Sequence, residues 1–304
     1  MAHSVNNIVG NFGGFPLRLS WLPRMIDCYG KEGQVPSNLE TVACQLGIGK
    51  NMAKALKAWA RTAMLLHHDG RISDMAKRIF LTMDPYLERG ETVALLHWLI
   101  TSNFRNFSAA AWVFNYLHVD IFSLQNAISG FKDFLCSNNA FYADGTLRGD
   151  MEPVLRMHLV PPESHADDHD DRFFSQLRML TATRIEGHSA YKRTWHHERP
   201  HVSDKILLYS LLGTLASRGT ASSALSDLYI TPAAQASPGS IFGFSKDGFF
   251  AAVERLDKSG CKELSLSTMP GEDAMVTAKS GFDSLCTSSD TKAIDAHIFG
   301  RVLE

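Results

Sequence analysis

Apolar positions recur at helical steps through most of the first two thirds of the chain. Leu39, Val42, Ala43 and Leu46 follow Ser37, with Glu40 three residues on. That spacing predicts a helix opened by a Ser37–Glu40 capping box and stopped at Gly47. A second helix is predicted over 50–64, where Met52, Leu56, Trp59 and Ala63 share one face. Further helices are expected at 91–102, 109–118, 122–136, 146–158 and 203–217. Pro153 weakens the 146–158 segment, because an interior proline removes a helix hydrogen bond. LLHHDGRIS reads as two short strands around Asp69-Gly70. Near the end, DGFFAAVERLDKSG predicts a short helix and KELSLSTMPGEDAMVTAK two strands around Pro270-Gly271.

The two helices before and after Gly47, with a trailing hairpin as the wing, suggest a helix-turn-helix of the winged-helix kind. The expected fold class is mainly α: helical winged-helix or helix-turn-helix modules with short β-hairpin wings. Three domains are expected. Residues 1–120 form an N-terminal winged-helix DNA-binding domain. Residues 121–200 form a helical middle region with a second helix-turn-helix-like motif, and 201–304 a C-terminal winged-helix-like domain. Joints are expected near 137–145, 161–171 and 231–240, where the sequence turns polar or small. No internal repeat of fixed period is evident.

Charge changes the picture at one helix. Lys50, Lys54, Lys57 and Arg61 form a stripe on the 50–64 segment, displaced by two residues from the apolar face. Two residues are ~200° of rotation, so the stripe is expected nearly opposite that face, in solvent. Such a helix could enter a major groove, with Asn51 on an adenine edge and the lysines on phosphates. A basic stripe is equally the ordinary solvated face of an amphipathic helix, and both readings stand at this point.

The whole chain gives no general pull toward polyanions: its formal net charge is −2. Any such site is therefore local. Residues 38–82 carry seven Lys/Arg against three Asp/Glu, and 150–171 carry seven acids against Arg156 alone. Five scattered cysteines without a CxxC pair argue against a disulfide framework or zinc ribbon and fit a reducing cytoplasm. Without a signal peptide or a long apolar run, a soluble cytoplasmic protein is expected.

Other clusters carry weaker signals. GFPLRLSWLPRM sets Arg18, Trp21 and Arg24 close together. YKRTWHHERPH, with Lys192 and Arg193 beside aromatics, suits a nucleic-acid backbone, and suits an ordinary surface strand somewhat better. In HADDHDD, His165, Asp168 and His169 could share a turn as metal ligands, although an acid run beside prolines is more often a solvated loop. His97, on a largely apolar segment, reads as a hydrogen-bonded core histidine. Asp84, Glu88, Glu91, Asp150 and Glu152 are the acids nearest these motifs, and Asp84 reads as a cap for a helix beginning near Pro85. No phosphate loop, nucleophile elbow, dinucleotide turn or HExxH pair is present, so no nucleotide or organic cofactor is expected.

FPLRLSWL at 15–22, LGIGKNMAKALKAW at 46–59, MDPYLERGETVALLHWLI at 83–100 and SPGSIFGF at 237–244 stand in an order that resembles the DUF4007 family. TLRGDMEPVLRMHL at 146–159, which includes Arg148, and HVSDKILLYSLL at 201–212 are weaker echoes. The resemblance spans nearly the whole chain. It implies a place in bacterial defence loci that install phosphorothioate, in which sulfur replaces a non-bridging phosphate oxygen of DNA. The implied activity is nicking one strand of duplex DNA so that sulfur can enter, with Mg²⁺ or Mn²⁺ as the divalent ion for that chemistry. The implied partners are double-stranded DNA, a cysteine desulfurase, an ATPase and an ATP-pyrophosphatase resembling PAPS reductases; a homodimer is also admitted. The alternatives are a non-catalytic DNA-binding adaptor and a transcriptional regulator. The expected DNA-contacting residues are Arg18, Arg24, Lys50, Asn51, Lys54, Lys57, Arg61, Arg148, Lys192 and Arg193. No catalytic residue is assigned. Pro153 and the acidic 161–171 stretch depart from the family pattern.

Overall fold

The computed structural model describes residues 6–7, 9–161, 171–231 and 235–279. The chain divides into two compact units, Met1–Thr194 and Trp195–Glu304. In the first unit the elements run β1 (Asn6–Asn7), α1 (Trp21–Tyr29), α2 (Leu39–Leu46), α3 (Lys50–Thr62) and α4 (Asp74–Arg78). A π-helical turn, Ile79–Met83, follows. Then come α5 (Gly90–Thr101), β2 (Asn106–Phe107), α6 (Ala109–Asn115), β3 (Ile121–Phe122), α7 (Leu124–Ser137), α8 (Asp144–His158), β4 (Leu180–Ile185) and β5 (His188–Arg193). The second unit holds α9 (Asp204–Arg218), β6 (Ser222–Ala224), α10 (Leu225–Tyr229), α11 (Pro238–Phe242), α12 (Lys246–Lys258), β7 (Leu264–Ser267) and β8 (Met275–Ala278). The fold is mainly α, as the periodicity predicts. Among the described residues no helix is long and apolar enough to cross a membrane.

Among the described residues one pairing order occurs three times. A strand precedes two or more helices; a hairpin follows them, and its second arm lies between its first arm and that early strand. The sheet orders β3-β5-β4 and β6-β8-β7, both antiparallel, are two instances. In the third, Gln34 bridges Arg71, and Leu66 bridges Ile72. The expected hairpin at 65–73 is thus present only as single bridges. The segment expected as a surface strand around Tyr191 is the second arm of a full hairpin, turning at Glu186-Gly187.

One local expectation is corrected. The cap of α2 is Asn38, whose side chain accepts from Glu40 N and Thr41 N at 2.8 and 3.4 Å, so Ser37 and Glu40 form no capping box. Pro153 does lie inside α8, whose ladder it leaves without a donor to Gly149 O. Gly14 N takes that carbonyl at 2.9 Å, and at the next residue Asp150 Oδ2 accepts from Gly10 N at 2.7 Å. A proline that would weaken an isolated helix therefore opens the place where the N-terminal strap docks. Gly47 ends α2 in the left-handed region, with φ 62, as expected.

His97 on α5 and His158 at the end of α8 are fully buried. The Nδ1–H of His158 donates to Val154 O at 2.7 Å, and its Nε2 accepts from the Nδ1–H of His97 at 3.1 Å. Burial first, then nearby His97, holds His158 well below the ordinary histidine range. The pair packs against Phe114 and Phe174, confirming His97 as a core histidine.

Candidate nucleic-acid interface

Helix α3 buries far more of its circumference than its pattern suggests. Ala53, Ala55, Leu56, Ala58, Trp59 and Ala60 are all 4% exposed or less. Alanines allow close approach on several sides, so the buried surface spreads well beyond the Met52–Leu56–Trp59–Ala63 face. Lys57 goes in with them: it is 4% exposed, and its Nζ donates to Pro36 O at 2.5 Å. Burial, then the Arg61 charge, lowers its ammonium from the usual lysine range. The expectation that four cations project from this helix is therefore corrected. Arg61 is half-buried and donates to His68 O at 3.3 Å. Lys50 is exposed but pairs with Glu40 at 2.8 Å. Asn51 and Lys54 are exposed.

The exposed first turn of α3 borders a groove of about 490 Å³ that includes Arg18, Trp21, Arg24, Cys44, Ile48 and Met52 in its lining. The connection Gly47-Ile48-Gly49 forms one side. Arg24 projects from α1 and donates to Leu46 O at 2.8 Å, which holds its guanidinium over Gly47. Arg18 lies 5.7 Å from the Trp21 ring centroid and pairs with Asp171 at 3.0 Å. Gly49 caps α3 without a side chain, and no acid stands in the first turn. Backbone N–H groups at such an end favour anions. The groove therefore joins the Arg18–Arg24 cluster to the α3 start, two sequence signals separated along the chain.

The remaining candidates lie elsewhere. Arg148 is exposed on α8 and pairs with Glu152 at 3.0 Å. Lys192 is exposed on β5. Arg193 is only 2% exposed and donates to Val113 O, Leu117 O and Phe114 O, satisfying the carbonyls at the end of α6. Its sequence signal, a cation among aromatics, describes a buried clamp as well as a surface one. What sequence reasoning missed was the groove lining supplied by Ser20, Gly47 and Met52, for which helix periodicity carries no signal.

The carboxylates do not assemble into a metal site. Asp84 accepts from Glu88 N and Arg89 N at 2.9 and 3.0 Å, capping a turn that ends before α5. Glu91 pairs with Arg89. Asp150 is 1% exposed, and burial pushes its carboxyl up to about 6 against the pull of the Gly10 and Phe12 amides and Lys54. Among the described residues no three His, Cys, Asp or Glu side chains converge. The His165, Asp168 and His169 candidate lies outside the described residues.

Comparison with known proteins agrees with this architecture. The "SspB crystal structure" superposes with a TM-score of 0.74 at 21% identity, covering 98% of this chain and 91% of the other. The "Magnesium ion-bound SspB crystal structure" gives 0.73 at 21% identity, with 96% and 89% covered. No curated protein sequence matches. The family model described as "Protein of unknown function (DUF4007)" matches residues 11–287. The chain belongs to the DUF4007 family.

Proposed function

We propose that this protein binds duplex DNA and opens one strand for sulfur incorporation, within a phosphorothioate-modification system of the kind to which SspB belongs. The observation that carries the DNA reading is the groove, which sets Arg18 and Arg24 beside Gly49 and Met52 at the start of α3, a helix on which Asn51 and Lys54 are exposed. The thrice-repeated pairing order supports reading the modules as winged helices. In that architecture the third helix meets DNA through its N-terminal residues, and the first turn is the part of α3 left exposed. Double-stranded DNA is then the direct ligand; the desulfurase, ATPase and ATP-pyrophosphatase act downstream of the opened strand. The fold likeness to a magnesium-bound SspB favours an assay with divalent ions present.

A second reading has its own observation. Asp84 accepts two backbone amides, Glu91 and Glu152 are paired, Asp150 is buried, and no trio of ligands converges among the described residues. This favours a DNA-binding adaptor that recruits the sulfur-transfer enzymes. Supercoiled plasmid incubated with purified protein and Mg²⁺ or Mn²⁺ separates the two. Open circles that are lost on adding EDTA are expected for the nickase. Retarded but intact supercoils support the adaptor. Absence of retardation at low salt rejects both.

A further inference from the structure

We propose that the groove beside the start of α3 seats a phosphorothioate linkage in preference to an unmodified phosphodiester, so that the protein reads back the modification. This rests on the DNA reading above and names the chemical group that the groove takes. Its lining has two characters. Arg18 and Arg24 supply guanidiniums suited to a phosphoryl anion. Ile48, Cys44 and Met52, with Trp21 buried behind them, supply an apolar, polarisable lining that includes two sulfur-bearing side chains.

Replacing one non-bridging oxygen by sulfur keeps the linkage's single negative charge, so the arginines serve either group. The remaining lining does not. An anionic oxygen set against a thioether or an isoleucine loses water and gains no donor. Sulfur is larger, softer and more weakly hydrated, so the same contact removes less water and gains more dispersion. The cavity of about 490 Å³ is within the size range of small-molecule sites, enough for one linkage with part of its sugars. Cys44 is exposed and Met52 half-exposed, so both surfaces are open to an incoming strand. A modified strand held here occupies the site that an unmodified strand must enter, which limits repeated attack on finished DNA.

Fluorescence anisotropy with one short duplex tests this, the duplex carrying either a phosphate or a single Rp or Sp phosphorothioate at matched salt. One diastereomer is expected to bind about tenfold more tightly than the phosphate duplex. In a Cys44→Ser/Met52→Gln variant, shown folded by its thermal melt, that ratio is expected to fall close to one. Equal wild-type affinities for all three duplexes overturn the sulfur preference and leave the DNA reading standing. A ratio that survives the double substitution overturns the assignment to this groove. Failure of every duplex to bind overturns the DNA reading, and this proposal with it.

Discussion

Helices α3 and α12 are each 13 residues long and follow matching turns. Gly47-Ile48-Gly49 leads into Lys50, and Gly243-Phe244-Ser245 leads into Lys246. Both first glycines are left-handed, with φ 62 and 65. Each turn is gripped by an arginine: Arg24 on Leu46 O, and Arg199 on Gly243 O. The surroundings then diverge. Arg24 is exposed, whereas Arg199 is 8% exposed and burial lowers its guanidinium to about 10. The second turn is covered by its own chain, since His196 N donates to Gly243 O and Ser245 N to His196 O. The first turn opens onto the groove instead. Helix α12 is capped by Ser245, carries Asp247 in its first turn, and pairs Arg255 with Asp204 and Lys258 with Glu254. Helix α3 starts with neither a capping side chain nor an acid. The same local device closes on protein in one unit and is left open and cationic in the other.

The largest expected effect tests that contrast by filling space. A Cβ on Gly248 would lie 2.2 Å from His197 O and 2.6 Å from His197 Cα, so backbone must move. A Cβ on Gly49 would come no closer than 3.7 Å to Met52 Sδ, and its φ of −69 suits any residue. Gly248→Ala is expected to cost about 3 kcal/mol, and Gly49→Ala about 1 kcal/mol or less. Urea melts of the full chain measure both, and equal losses would break the contrast.

The next effect reads the charge of α3 from inside the protein. Lys54 helps hold down the carboxyl of Asp150, yet burial dominates and raises it from 3.8 to about 6. A raised carboxyl pKa means that the folded state favours the proton. Its stabilising contribution is present below pH ~4, declines as pH rises toward ~6, and is absent above, a span of at most about 3 kcal/mol. Stability of Asp150→Asn is expected to lose that decline, whereas Lys54→Ala should carry it on to higher pH. Melting temperatures at stepped pH check both, and identical profiles for wild type and Asp150→Asn would remove Asp150 as its source.

Much of the helical architecture was legible because periodicity reports buried faces directly: α5, α7, α9 and α12 lie close to their expected bounds. The strand pairings were less so. Gln34 and Arg71 meet through single backbone bridges, which leave no alternation to read. The repeated turn was invisible because its two copies share only glycine, an apolar residue, a small residue and lysine. The site was half legible. Spacing identified the first-turn cations of α3, but it could not tell that alanines at 53, 55, 58 and 60 would draw Lys57 into the core. Nor could it tell that Pro153 would leave a carbonyl for Gly14, because that contact depends on a strap distant in sequence.

A smaller effect has opposite signs in two measurements. Gly49→Asp gives α3 the kind of cap that α12 already has and is expected to stabilise the protein by a few tenths of a kcal/mol. It also places a negative charge at the groove, so DNA affinity should fall. Thermal melts and anisotropy on the same preparation decide; a gain or a loss in both would mean that the open end of α3 is not held for an anion.

The smallest effect separates the two lysines that sequence treated alike. Each lysine that neutralises a phosphate contributes about −0.9 to the slope of log K against log salt. Lys54→Ala is therefore expected to flatten that slope by about 0.9. Lys57→Ala is expected to leave it unchanged, because its ammonium is committed to Pro36 O beneath the surface. Lys57→Ala should lower stability instead, through the cavity it leaves and the unpaired carbonyl. Anisotropy titrations from low to moderate salt resolve the difference. If Lys57→Ala flattens the slope as much as Lys54→Ala, the helix turns in solution to present a face that the structure packs inward, and the assignment of DNA contact to its first turn fails.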